Sequence, residues 1–240
     1  MLHQPQDYFD LSTTAFADLF TDVAYVWDAI PQIAPYIQRR LETDRKPNIT
    51  TYDLPPTVTY KSPNIYMGEG VTFEPHVYIE GPAIIEDGAF IGHGAFLRYN
   101  TIIGKNGGVG NSCETKNVVL MENATAPHFA YLGDSIIGQN VNLGAGVKLS
   151  NFPVKFMGAD PLPTIILDID GERVDTGLSK FGAILGDDVK LGCNSVCNPG
   201  TVVGKGTWVY ALASLAKGIY PPHSLVKLRQ TLEIVEKHDK

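Results

Sequence analysis

Basic residues are scarce in this 240-residue chain: 19 Lys and Arg stand against 26 Asp and Glu, a formal charge of −7. No cluster of Lys or Arg breaks that balance, which argues against a nucleic-acid surface. It does not exclude a small anionic ligand, because one or two placed cations hold a phosphate. Cysteine is rarer still. Cys113, Cys193 and Cys197 are odd in number and form no CxxC pair. They read as reduced thiols of a cytoplasmic protein, not as a disulfide framework or a zinc site. No apolar run approaches the roughly 18 residues of a membrane span. The opening MLHQPQDYFD carries acidic residues and no apolar core of a signal peptide. No membrane partner is expected.

Glycine, by contrast, is abundant and patterned, with 24 copies. Ile79, Ile85, Ile91, Leu97, Ile103 and Val109 recur every six residues, several followed by Gly or Glu. The register slips near ATAPHFAYLGD (124–134), resumes at Ile137, Leu143 and Leu149, and returns at Leu185, Leu191, Cys197, Val203 and Val209. Six is neither a helical period nor simple alternation. Three hexapeptides close one triangular coil, each placing an aliphatic residue inward and a small residue at a corner. Stacked coils then bury one continuous aliphatic column. The fold predicted is all-β: a left-handed parallel β-helix.

Two segments fall outside the repeat. Residues 13–42 carry Phe16, Leu19, Phe20, Val23, Trp27 and Ile30 at helical spacing, with Pro31 and Pro35 expected to break them in two. A helical cap over 1–60 would hide the open first coil. Residues 152–179 hold TIILDI and ERVDTG around Asp170-Gly171, a hairpin signal. Excursions of this length are more often functional than decorative. The solenoid is expected over 61–218, closed by a C-terminal helix over 219–240 in which Leu225, Leu228, Leu232 and Val235 are helically spaced.

Six histidines offer chemistry. His3 and His238 lie near the ends, and His76 and His93 read as edge or coil-surface residues. His128 differs: Pro127 precedes it, the register breaks there, and Tyr131 is three residues on. Locally it fits a packed corner histidine as well as a proton acceptor.

Three stretches together carry a family resemblance: VYIEGPAIIEDGAFIGHGAFLRYNTIIG, ETKNVVLMENATAPHFAYLGD with NLGAG, and VDTGLSKFGAILGDDVKLGCNSVCNPGTVVG. They resemble the acetyltransferase domain of the bifunctional UDP-N-acetylglucosamine pyrophosphorylase/glucosamine-1-phosphate acetyltransferases, and more closely the archaeal-type sugar-phosphate nucleotidylyltransferases. The resemblance runs over roughly residues 77–206. It implies an N-acetyltransferase of nucleotide-sugar biosynthesis that uses acetyl-CoA as co-substrate, needs no metal, and acts on an amino-sugar phosphate such as glucosamine 1-phosphate.

Residue by residue, it places His128 as general base, a role suited to a neutral imidazole. Arg98 and Lys116 fall where the family grips the sugar phosphate, though each also fits an ordinary surface charge. Tyr131, Asn142 and Asn151 fall where it holds the sugar, and Asn142 also fits a corner asparagine. Ala145 matches a backbone N–H near the thioester oxygen, Cys193 a common serine near the coenzyme sulfur, and Ala211 a small residue beside the pantetheine arm. Cys193 reads equally as a small corner thiol. Lys217, Lys227 and Arg229 align loosely with groups near the coenzyme phosphates.

The chain departs from the family in two places. It lacks the nucleotidyltransferase domain with its LxAGxGTR loop. After Asn151 it has Phe152-Pro153-Val154-Lys155, so Lys155 or Lys180 is expected to supply a cation there. A homotrimer with sites between subunits is expected, since a cyclic trimer closes head-to-tail contacts. Competing readings are acyl transfer to another nucleotide- or phospho-sugar, a non-catalytic sugar-phosphate-binding trimeric solenoid, and a three-histidine zinc site of carbonic anhydrase type. The last needs a closely spaced histidine pair that the chain lacks.

Overall fold

The computed structural model describes residues 3–230. Short parallel strands wind into a left-handed β-helix with three sides. The first side carries rungs such as Tyr78–Ile79, Phe96–Leu97 and Lys148–Leu149. The second carries Ala83–Ile85, Thr101–Ile103 and Ala183–Leu185, and the third Phe90–Ile91, Asn142–Leu143 and Lys190–Leu191. Pairing is parallel throughout the solenoid, with Tyr78 opposite Phe96 and Phe96 opposite Glu114. The hexapeptide aliphatics point inward: Ile79, Ile85, Ile91, Leu97, Ile103 and Val109 are all at 0% exposure. Each such burial is worth about 1.5–3 kcal/mol, and the column they form is the main core.

The register slip has a structural cause. In most coils the chain breaks between the first and second sides. In two consecutive coils it runs straight through, as the seven-residue strands Glu114–Leu120 and Tyr131–Ile137. These coils are one residue shorter, so Glu114 pairs with Tyr131 and Tyr131 with Lys148. The tightened bend falls on Asn117 and Asp134, at φ of 49° and 43°. Asn and Asp are the non-glycine residues that best tolerate that region. The next rung after Lys148 is Val196, because the excursion is spliced in at the same corner.

The second side is covered. Its outward residues Ile84, Ile102, Val119, Ile136, Ile184 and Val202 form a second core with Phe16, Trp27, Ile33 and Ile37 from the N-terminal segment and with Phe156, Ile165 and Leu167 from the excursion. The N-terminal segment therefore lies along a side of the solenoid. The open first coil is instead packed by Ile49, Tyr52, Leu54 and Val58. Residues 17–29 form two 3₁₀ turns, Ala17–Phe20 and Val26–Ala29, before a helix over Ile33–Thr43. Pro35 does not break that helix. It sits in the first turn, where an amide N–H has no helical acceptor to lose.

Within the excursion, Ile166–Ile169 pairs antiparallel with Glu172–Asp175 across Asp170-Gly171, both at positive φ. The chain around 219–226 is not the start of a helix: Leu225–Val226 adds a further rung below Trp208–Val209. Stacking on an open sheet edge satisfies those amides better than an isolated turn of helix. The remainder of that expected helix, 231–240, lies outside the described residues.

Candidate functional site

The residues singled out from sequence divide between two corners of the coil. At the corner between the first and second sides, Arg98, Lys116, Tyr131, Asn151 and Lys180 line one open recess of about 390 Å³, with Phe152 and Leu162. The recess lies at the corner where the shortened coils bend at Asn117 and Asp134. Gly133 keeps it open: a Cβ there would stand 2.7 Å from the Tyr131 hydroxyl and 2.9 Å from the Asn151 amide. Instead the Tyr131 hydroxyl donates to Asn151 Oδ1 at 3.3 Å.

Lys116 is not a solvated surface charge. It is 7% exposed, and its ammonium lies 3.3 Å from Asp134 Oδ2, a carboxylate equally buried. Asn117 donates to Asp134 Oδ1 at 3.0 Å, and the Asn151 amide donates to Oδ2. Burial, the largest single influence, pulls the Lys116 pKa down, but the Asp134 carboxylate and the Tyr99 hydroxyl together outweigh it and the net direction is up. Burial also raises the Tyr131 hydroxyl, so it acts as a neutral hydrogen-bonding group. Arg98 pairs with Glu114 at 2.8 Å and stacks over Tyr99 with its guanidinium carbon 5.6 Å from the ring centroid.

Sequence reasoning missed Asp134 and Glu114, which set the charge of this recess. Asp134 was visible as the last residue of PHFAYLGD, one shortened coil after Asn117. Its partnership with Lys116 needs the coil stacking and could not be read from the chain.

The other corner, between the third and first sides, holds His128, Ala145, Cys193 and Ala211 on consecutive coils. Backbone bonds fix the column: Gly146 N–H donates to His128 O at 2.9 Å, Asn194 N–H to Ala145 O at 2.8 Å, and Leu212 N–H to Cys193 O at 2.9 Å. His128 is exposed, and its ring has no hydrogen bond among the described residues. It is not a packed core histidine. Beside it Phe129 is 58% exposed. Below His128 the column continues through the small side chains of Ala145, Cys193 and Ala211. Cys193 is an exposed free thiol, whereas Cys113 and Cys197 are buried, the latter pushed up to about 12 by desolvation.

Asn142 faces outward on the third side, accepting from Thr125 Oγ1 at 3.1 Å. Lys155 does not join the recess but a neighbouring hollow. Lys227 lies over the Tyr210 ring. Among the described residues no three His, Cys, Asp or Glu side chains converge as a metal site. His76 and His93 do meet edge-on, centroids 5.4 Å apart. Also among those residues, no helix is long and apolar enough to cross a membrane.

The two corners are one side of the triangle apart. At about 3.3 Å per strand residue that is on the order of 15 Å between the backbones.

Comparison with known proteins follows this geography. The bifunctional protein GlmU of Methanococcus aeolicus is 40% identical over 107 residues, 45% of this chain and 24% of that protein. The bifunctional sugar-1-phosphate nucleotidylyltransferase/acetyltransferase of Sulfurisphaera tokodaii is 34% identical over 102 residues, 42% of this chain and 24% of that protein. The chain thus spans about a quarter of the length of these relatives. Among solved structures, the UDP-N-acetylglucosamine acyltransferase from Campylobacter jejuni overlaps loosely, with a TM-score of 0.30, 14% identity, and coverage of 70% or so of each chain (71% and 69%). Residues 79–207, more than half of the chain and the stretch that holds the recess and His128, match the profile of the GMPPB C-terminal domain, and the chain belongs to that family.

Proposed function

We propose that the protein is a CoA-dependent N-acyltransferase that acetylates an amino-sugar phosphate, with glucosamine 1-phosphate as the reference acceptor and acetyl-CoA as donor. The observation that carries this reading is the separation of its parts: a cationic, amide-lined recess at one corner and an exposed imidazole above a column of small residues at the other. The names of the relatives matched over the same stretch support it.

In this reading Arg98 and Lys116 hold the phosphate, while Tyr131 and Asn151 bond sugar hydroxyls that would otherwise lose their water partners. Lys180 completes the recess, and Asn142 reaches the sugar from a facing protomer. The pantetheine arm lies along Ala145, Cys193 and Ala211. The amine attacks the thioester carbonyl, His128 accepts its proton, and the backbone N–H near Ala145 stabilises the developing oxyanion. Collapse breaks the C–S bond, and the imidazolium returns the proton to the departing thiolate. No covalent enzyme intermediate is needed. Holding amine and thioester together supplies much of the rate gain.

The distance between the corners favours a threefold assembly in which His128 of one protomer faces the recess of the next. The second side is already covered, leaving the first and third, with exposed Tyr60 and Tyr78 on one and Phe90 and Trp208 on the other, as contact faces. The test is to incubate the protein with acetyl-CoA and glucosamine 1-phosphate and follow free thiol. Thiol release that needs the sugar supports the reading, and none above the hydrolysis background refutes it.

A further inference from the structure

The excursion leaves the solenoid after Asn151 and folds back over its lower coils. Its hairpin is anchored there: Lys217 donates to Ile166 O at 2.6 Å, and Ile165 and Leu167 pack where Gly200 leaves space. Between hairpin and solenoid lie two adjoining hollows of about 440 and 370 Å³, both bordered by Ile166, Arg173 and Lys217. The larger has an apolar wall of Phe152, Phe156, Pro199 and Ala216, with Phe152 and Phe156 edge-on at 6.4 Å.

The charge here runs against that of the chain. Lys155, Arg173 and Lys217 line the two hollows against a single carboxylate, Asp168, in a protein of net charge −7. Asp168 spends one oxygen on the Gly171 N–H at 3.1 Å. Lys155 lies over the Phe156 ring. Arg173 has no ion-pair or hydrogen-bond partner among the described residues. The contrast with the recess is direct, because there Arg98 and Lys116 already face Glu114 and Asp134. Arg173 stands opposite Asp168 across the hairpin without forming an ion pair, and a guanidinium with free N–H groups suits bidentate contact with a phosphate.

Phe152 borders both the larger hollow and the recess, so the two lie side by side at that ring. A hexosamine monophosphate needs only the recess. A ligand that also reached the neighbouring hollow would carry further phosphate and a flat ring beyond the sugar. We propose that the groove under the excursion binds a nucleoside diphosphate, so that the site takes nucleotide-linked amino sugars as acyl acceptors in addition to the sugar monophosphate. This rests on the acyl-transfer reading for the acceptor's role but not for the binding. The coenzyme's own nucleotide has the same chemistry. Its track runs down the opposite corner, which favours the acceptor as the source.

The experiment is calorimetric titration of the full chain with UDP, GDP, dTDP, glucosamine 1-phosphate and CoA, before and after Arg173→Ala and, separately, Lys155→Ala. Both side chains are exposed, and an unchanged unfolding temperature checks that each variant folds. At least one nucleoside diphosphate is expected to bind, and Arg173→Ala to weaken it tenfold or more while CoA binding stays within twofold. Absence of nucleoside diphosphate binding at millimolar concentration overturns the proposal, as does binding indifferent to both substitutions. A parallel loss of CoA affinity assigns the groove to the coenzyme and overturns it too. Thiol release with glucosamine 1-phosphate is scored separately, so failure of the groove and failure of acyl transfer remain distinct.

Discussion

Replacing Lys116 with methionine keeps most of the length of the side chain and removes its charge, leaving Asp134 buried without that cation. The pair is 3.3 Å apart with both residues 7% exposed. At an effective dielectric of about 20 the attraction at that distance is about 5 kcal/mol, much of it offset by the cost of desolvating both ions. Removing one partner of such a pair costs about 3–5 kcal/mol, because the other stays behind uncompensated. Against a typical total stability of about 5–15 kcal/mol that is a large loss. Lys116→Met combined with Asp134→Asn should recover most of it, since a neutral amide at 134 still accepts from Asn151. Urea unfolding followed by far-ultraviolet circular dichroism reads both. The sign of the pH dependence is fixed by the raised Lys116 pKa. Its contribution is fully present below the ordinary lysine value and is lost as pH rises through the higher folded value. The gap between wild type and Lys116→Met should thus stay constant through neutral pH and narrow only in strong alkali. A cost below about 1 kcal/mol, or a double variant as unstable as the single one, would refute the buried-pair argument.

Other outcomes are expected from the same geometry. His128→Ala should lower acetyl transfer by about 10²–10⁴-fold with little change in unfolding temperature; activity within tenfold of wild type removes it as the base. One equivalent of a maleimide should label Cys193 alone by mass spectrometry, because the other two thiols are buried. The label should block acetyl-CoA binding, and acetyl-CoA should slow the labelling. Failure of either effect separates Cys193 from the coenzyme track. Gly110→Ala places a Cβ 1.9 Å from the Pro127 carbonyl oxygen of the next coil, so the rungs must part. Its unfolding temperature should drop by well over ten degrees, and a drop of a degree or two would mean that the coils slide freely.

Sequence alone determined the solenoid and its interior. A six-residue aliphatic period has one economical solution, and Ile79 through Val109 occupy it with no exposure. It also marked His128, whose setting at a break in register is a local feature. The start of the chain's tail misled, because Leu225, read as the first of a helical series, belongs with Val226 to one more rung, and an unfinished sheet edge decides between the two. The N-terminal segment misled as to place: its apolar spacing shows that it packs on something, while only the fold shows that the partner is the outer face of the second side.

What tertiary structure alone decided is where charge ends up. Lys116 and Asp134 are distant in sequence and become a buried pair because shortened coils stack them. Lys155, which the sequence suggested for the sugar recess, instead borders a neighbouring hollow together with Arg173 of the hairpin. Periodicity is a property of neighbours along the chain and can be read there. Electrostatics depends on distances between coils, which exist only once the chain has wound.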